Sequence, residues 1–93
     1  MDAADRANEP LDATAVVTVR YWAGARAAAG VDDETVPAPG TVAELVARLA
    51  AARPQLEPVL AVASVLVDGR AGAGEDPVPV GAVVEVLPPF AGG

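Results

Sequence analysis

From residue 15 to residue 22 the chain reads Ala-Val-Val-Thr-Val-Arg-Tyr-Trp, with Val17, Val19 and Tyr21 alternating against Thr18 and Arg20. Period-two alternation of β-branched and aromatic residues predicts a half-buried strand. An Ala-rich stretch with Arg26 follows between Gly24 and Gly30; it suits a short helix of about two turns, with Gly30 as a left-handed stop. Residues 31–37 carry a weaker β pattern broken by Asp32, Asp33 and Glu34, and Pro37 and Pro39 confine it to an edge or terminal role. The strongest helical signal begins after Gly40. Thr41 and Glu44 have capping-box spacing just ahead of Val42, Leu45, Val46 and Leu49. This spacing predicts a helix over 41–52, which Pro54 stops because its ring clashes with the preceding turn.

Beyond the proline, residues 55–60 suit one further helical turn, with Leu56, Val59 and Leu60 toward the core. Residues 62–67 read as a strand that ends at the turn pair Asp68-Gly69. Residues 70–80, with Gly72, Gly74, Pro77 and Pro79, read as a loop with room for one extended stretch, and 83–87 form the last strand. One main helix packed across a mixed sheet of about four to five strands is an α+β layer arrangement; there are too few helices for a doubly wound parallel sheet. The division expected is an acidic disordered segment over 1–14, a folded domain over 15–87 and an extended tail over 88–93.

Composition narrows the function. The 93 residues leave room for one domain, and 22 Ala and 16 Val make up most of its apolar content, so the core is built from small groups. Thirteen acids against six bases, a net charge of −7, oppose a nucleic-acid or anionic-membrane surface and favour a basic protein surface as partner. Cys, His and Lys are all absent. That removes disulfides, thiolate nucleophiles, Schiff-base chemistry and the usual general base near neutral pH, so catalysis by this chain alone is not expected. The longest apolar run, 59–67 interrupted only by Ser64, falls far short of the roughly 20 residues of a membrane span. Residues 1–14 lack the apolar core of a secretory leader, so the expected compartment is the cytoplasm.

The feature that carries chemistry is the end of the chain, where the last strand runs into Pro88, Pro89, Phe90, Ala91, Gly92 and Gly93. The prolines hold the exit stiff and extended, and the Ala-Gly-Gly end has almost no side chains. At about 3.3 Å per residue the tail carries its carboxylate roughly 20 Å outward. A filament so thin fits a channel that a branched side chain would block.

Three stretches resemble the MoaD/ThiS family of ubiquitin-like sulfur carriers. They are Val-Arg-Tyr-Trp-Ala-Gly-Ala-Arg from Val19, Gly-Thr-Val-Ala-Glu-Leu from Gly40, and Leu-Pro-Pro-Phe-Ala-Gly-Gly from Leu87. The resemblance covers 16–93 and implies the β-grasp, ubiquitin-like fold. The diproline looks more like the small subunit of molybdopterin synthase than the thiamine carrier. One departure is Ala82, which follows Gly81 where such carriers commonly have an acid. The resemblance implies a non-catalytic carrier whose Gly93 is adenylated by an ATP-dependent, MoeB-like activating enzyme and converted to a thiocarboxylate. It also implies a hetero-oligomer with a MoaE-like large subunit. ATP and magnesium then belong to the activating partner, and this chain binds no cofactor or metal of its own. Carriage of sulfur toward thiamine or cysteine, or service as a ubiquitin-like module that is never thiolated, are the alternatives.

Side chains besides the tail have plainer readings as well. Phe90 and Trp22 are candidates for partner docking, since aromatics dominate interface hot spots, whereas Tyr21 is expected in the core. Asp32, Asp33 and Glu34 lack the spaced ligand set of a cation loop and read as a solvated acidic segment.

Overall fold

The computed structural model describes residues 15–89. The first strand, β1 (Val16–Tyr21), buries Val17, Val19 and Tyr21 and turns Thr18 and Arg20 outward, as the alternation requires. Helix α1 (Ala23–Ala29) follows and ends at Gly30 in the left-handed region, φ 81°, its amide donating to the Arg26 carbonyl. Strand β2 (Asp33–Pro37) returns antiparallel to β1 along the sheet's edge, with Val17 opposite Val36 and Val19 opposite Glu34. It starts two residues later than its pattern suggests.

A two-residue strand, β3 (Gly40–Thr41), leads into the principal helix α2 (Val42–Ala52). Thr41 caps it: its Oγ1 accepts from the Glu44 amide at 3.1 Å. The expected reciprocal half of the box is replaced by an i,i+4 pair, the Glu44 carboxylate accepting from Arg48 at 2.8 Å. Val42, Leu45 and Leu49 face the core. Beyond Arg53, a 3₁₀ turn (Pro54–Leu56) and the single-turn helix α3 (Glu57–Leu60) bury Leu56 and Leu60.

Strand β4 (Ser64–Val67) pairs with β5 (Arg70–Gly72) through Asp68 and Gly69, both at positive φ (49° and 84°). Two successive left-handed residues are the signature of a tight hairpin whose twist matches its strands. The segment expected to be a loop over 70–80 therefore holds two strands, β5 and β6 (Pro77–Val78), the latter pairing with β3. Its glycines and prolines end strands here without preventing them. Between β5 and β6, Asp76 accepts from the Ala73 amide at 2.9 Å, and Val78 is buried. The last strand, β7 (Val83–Leu87), runs parallel to β1 and antiparallel to β4.

The sheet order is β2-β1-β7-β4-β5, a mixed five-stranded sheet with α2 packed on one face, the β-grasp arrangement. The core is apolar throughout the described residues, and its largest fully buried side chains are Leu45, Leu56, Val17, Val19, Val84 and Val86. Ala82 belongs to this core at 2% exposure, where an acid would have to be accommodated in apolar packing.

Candidate functional site

The site is assembled by the parallel pairing at the centre of the sheet. Because β1 and β7 run in the same direction, the residues that follow them leave from the same end. Trp22 comes directly after β1, and Pro88 and Pro89 directly after β7. The Trp22 amide donates to the Val86 carbonyl at 3.2 Å, and its indole Nε1 donates to the Glu85 carboxylate at 3.2 Å. The indole is 42% exposed, so the docking candidate Trp22 stands beside the chain exit with its apolar ring in solvent. Pro88 is half-buried and Pro89 exposed. The other tail candidates, Phe90, Ala91, Gly92 and Gly93, lie outside the described residues, as does the segment 1–14.

The face of the sheet opposite α2 continues from this exit. Alternation places Thr18 and Arg20 of β1, Val83, Glu85 and Leu87 of β7, and Ser64 and Leu66 of β4 on it. Arg20 sits opposite Glu85, and Leu66 opposite Glu85 from the other side. The result is a face with apolar Leu87 near the exit, Leu66 beside one charge of each sign at its middle, and Trp22 at its margin. Leu66 and Leu87 are half-buried docking candidates that sequence reasoning did not single out. Their signal lies in the alternation of β4 and β7, which becomes readable once the buried face is known.

On the helix side, a polar network ties β1, α1 and β2 to the end of α2. Arg53 forks onto Glu34 through Nε and an Nη, both at 3.0 Å, and donates its other Nη to the Ala29 carbonyl at 2.7 Å. The Tyr21 hydroxyl also donates to Glu34. The Arg53 hydrogen bonds hold the Glu34 carboxyl below its ordinary pKa against the opposing effect of burial. Burial, reinforced by the Glu34 carboxylate, pushes the Tyr21 phenol up. The reading of 32–34 as a solvated acidic loop thus needs correction. Asp32 and Asp33 are exposed, but Glu34 is the hub of this network because β1–β2 register turns it inward opposite Val19. Tyr21 is buried, as expected.

Chemically the described surface offers docking and no reaction centre. Among the described residues no three Asp or Glu side chains gather into a metal-holding cluster, and no helix is long and apolar enough to cross a membrane. The mixed sheet with its packed helix defines a ubiquitin-like fold, with an exposed indole beside the end of the last strand.

The chain belongs to the ThiS family of sulfur-carrier proteins, whose model matches residues 19–93. It is structurally similar to a Pyrococcus furiosus protein assigned as molybdopterin converting factor subunit 1. The two are 26% identical with a TM-score of 0.71, over 81% of this chain and 98% of the other. Haloferax volcanii small archaeal modifier protein 1 is similar at 25% identity and a TM-score of 0.72, over 82% of this chain and 99% of that one. A chain from the complex of subunits 1 and 2 of the Helicobacter pylori molybdopterin-converting factor shares the fold at 22% identity and a TM-score of 0.63, over 84% and 99%. No curated protein matches the chain.

Proposed function

We propose that this chain is the sulfur carrier of a molybdopterin synthase, delivering sulfur from Gly93 inside a larger catalytic subunit. The observation that carries the reading is the shared exit. A Gly-Gly terminus follows a strand whose end lies against an exposed Trp22 at the margin of the docking face. The similarity to molybdopterin converting factor subunit 1 supports the pathway.

The chemistry follows from the terminal group. An α-carboxyl has a pKa of about 3.3 to 3.7, so at neutral pH it is an anion and a poor electrophile. A carboxylate oxygen of Gly93 attacks the α-phosphorus of ATP held by a MoeB-like activating partner, and pyrophosphate leaves. Sulfur at the sulfide level, delivered by a donor, then attacks the carbonyl carbon, AMP leaves, and Gly93 ends as a thiocarboxylate. This chain's part is positional. The sheet face and Trp22 dock on the activating enzyme and then on a MoaE-like subunit. Pro88 and Pro89 aim the tail, and Phe90, Ala91 and Gly92 span the approach to the partner's site. Nothing in these steps calls for a metal, nucleotide or catalytic side chain of this chain, which accords with a sequence lacking His, Cys and Lys.

The test is intact mass of the protein incubated with an activating enzyme, ATP and a sulfur source. Replacing oxygen by sulfur adds about 16 Da. A second reading, a protein modifier joined through Gly93 to amines, is favoured by the similarity to small archaeal modifier protein 1. It predicts amide-linked adducts on other proteins and no thiocarboxylate.

A further inference from the structure

A groove on the helix side of the sheet has no part in the docking face. It lies between α2 and the β4–β5 hairpin and encloses about 560 Å³. Val42, Val46, Leu60, Ala63 and Val65 line it, and Ser64 is the one polar residue at its border. The groove is open because its walls are made of small residues. A Cβ added at Gly72 would come within 3.2 Å of Val42 Cγ2 and narrow it.

One end of the groove adjoins the chain exit. Leu87, the last residue of β7, pairs with Ser64, and continuing that antiparallel register sets Pro88 level with Ala63. Adjacent strands are about 4.8 Å apart, and the three residues from Leu87 to Phe90 span about 10 Å. Phe90 can therefore reach Leu60 and Ala63 without any part of the fold moving. The other terminal segment is poorly placed for this. Ala15 lies at the opposite end of β1, where its carbonyl accepts from the Ala38 amide, and β1 and β7 are parallel. Of the residues outside the described range, Phe90 is the only aromatic, and the groove volume accommodates a phenyl ring.

We infer that this groove is the resting seat of Phe90, which folds the tail back on its own domain and shortens the reach of Gly93 until a partner draws it out. The inference concerns the tail before it meets a partner. It stands whether the terminus carries sulfur or is conjugated, and it adds a second role to the groove-side residues of α2 and α3.

The experiment compares the full chain with Phe90→Ser by methyl NMR and by carboxypeptidase trimming of Gly93. The methyl resonances of Leu60, Val46 and Val65 move on substitution, by an amount that does not change with protein concentration. With about nine-tenths of the molecules seated, trimming runs about tenfold faster in the variant. Ala47→Gln, at the groove wall, speeds trimming in the same way with Phe90 intact. Unmoved groove methyls and equal trimming rates would overturn the inference. So would shifts confined to Leu66, Leu87 and Trp22, which would put Phe90 on the docking face, or shifts that grow with concentration, which would put it in the groove of a second copy.

Discussion

Leu45→Ala tests the packing that holds the docking face in place. Leu45 is 1% exposed at the middle of α2, with Val42 before it and Leu49 after it on the same face. The substitution removes three carbons. At about 0.8 kcal/mol per buried methylene the transfer loss is about 2.4 kcal/mol, and the unfilled space raises it to about 3 to 4 kcal/mol. The neighbours do not refill it readily, because Val17, Val19, Val84 and Val86 are β-branched, with few rotamers, and are fixed on the strands. A domain of this size has a stability of about 4 to 11 kcal/mol, so one side chain accounts for about a quarter of it or more. Leu49→Ala, at 3% exposure, behaves alike. Thr41→Ala loses only the cap, about 1 kcal/mol. Urea unfolding followed by far-ultraviolet circular dichroism and by Trp22 fluorescence separates these cases. With a slope near 1 kcal/mol per molar, Leu45→Ala lowers the midpoint by about 3 M and Thr41→Ala by about 1 M. Midpoints that fall equally in all three variants, or barely move in the leucine variants, would refute the packing of α2 on this sheet.

The remaining expectations concern the network, the tail and the indole. Arg53 holds Glu34 below its ordinary value of 4.5, so its contribution to stability is present above that pH and is lost as pH falls through the lower folded value. Acid titrations of stability are accordingly shallower for Glu34→Gln than for the parent. Tyr21 is raised above its ordinary 10.0; the parent therefore loses stability as pH climbs past about 10, and Tyr21→Phe does not, as alkaline melts will show. Gly92→Val leaves the melting temperature unchanged and abolishes conversion of Gly93 by the activating enzyme, read by intact mass; normal conversion would remove the narrow-channel argument. Trp22→Ala keeps the fold and weakens binding to the large subunit by about 1 to 2 kcal/mol in calorimetry, the scale of an exposed aromatic anchor. Because the chain has no lysine, conjugation assays analysed by mass spectrometry yield no ladders linked through side-chain amines, the N-terminal amine being the one acceptor left.

What could be read in advance followed the range of each interaction. β1 and the cap at Thr41 are local signals spanning a few residues, and both stand where their patterns place them. The Asp68-Gly69 turn is equally local. Its consequence, that the chain folds back into β5, depends on pairing with β4 and was hidden by Gly72, Gly74 and two prolines. The Glu44 carboxylate had two partners in reach, the Thr41 amide and Arg48, and local spacing alone could not rank them. Glu34 misled for a different reason. Its neighbours Asp32 and Asp33 are solvated, and only the register with β1 shows that the third acid faces inward. Arg53 lies 19 residues from Glu34 in sequence, a separation over which no periodicity speaks.

The same reasoning separates the tail from the surface around the exit as sequence signals. The role proposed for the Gly-Gly end rests on backbone chemistry alone, because absence of side chains is the property a narrow channel would select. The docking margin, by contrast, depends on a contact between the two ends of the domain. Tyr21 pairs with Val86 across the parallel β1–β7 ladder, and that single long-range register brings Trp22 to the exit and turns Leu66 and Leu87 to its face. Parallel neighbours must be joined by a long crossover, here the whole of α1 through β6. The described elements between Trp22 and β7 thus close this pairing as well as filling a core. A substitution deep in that crossover, such as Leu45→Ala, is expected to disturb partner docking in proportion to the β1–β7 pairing it loosens. Amide exchange at Trp22, whose N–H is held by the Val86 carbonyl, reports that loosening directly.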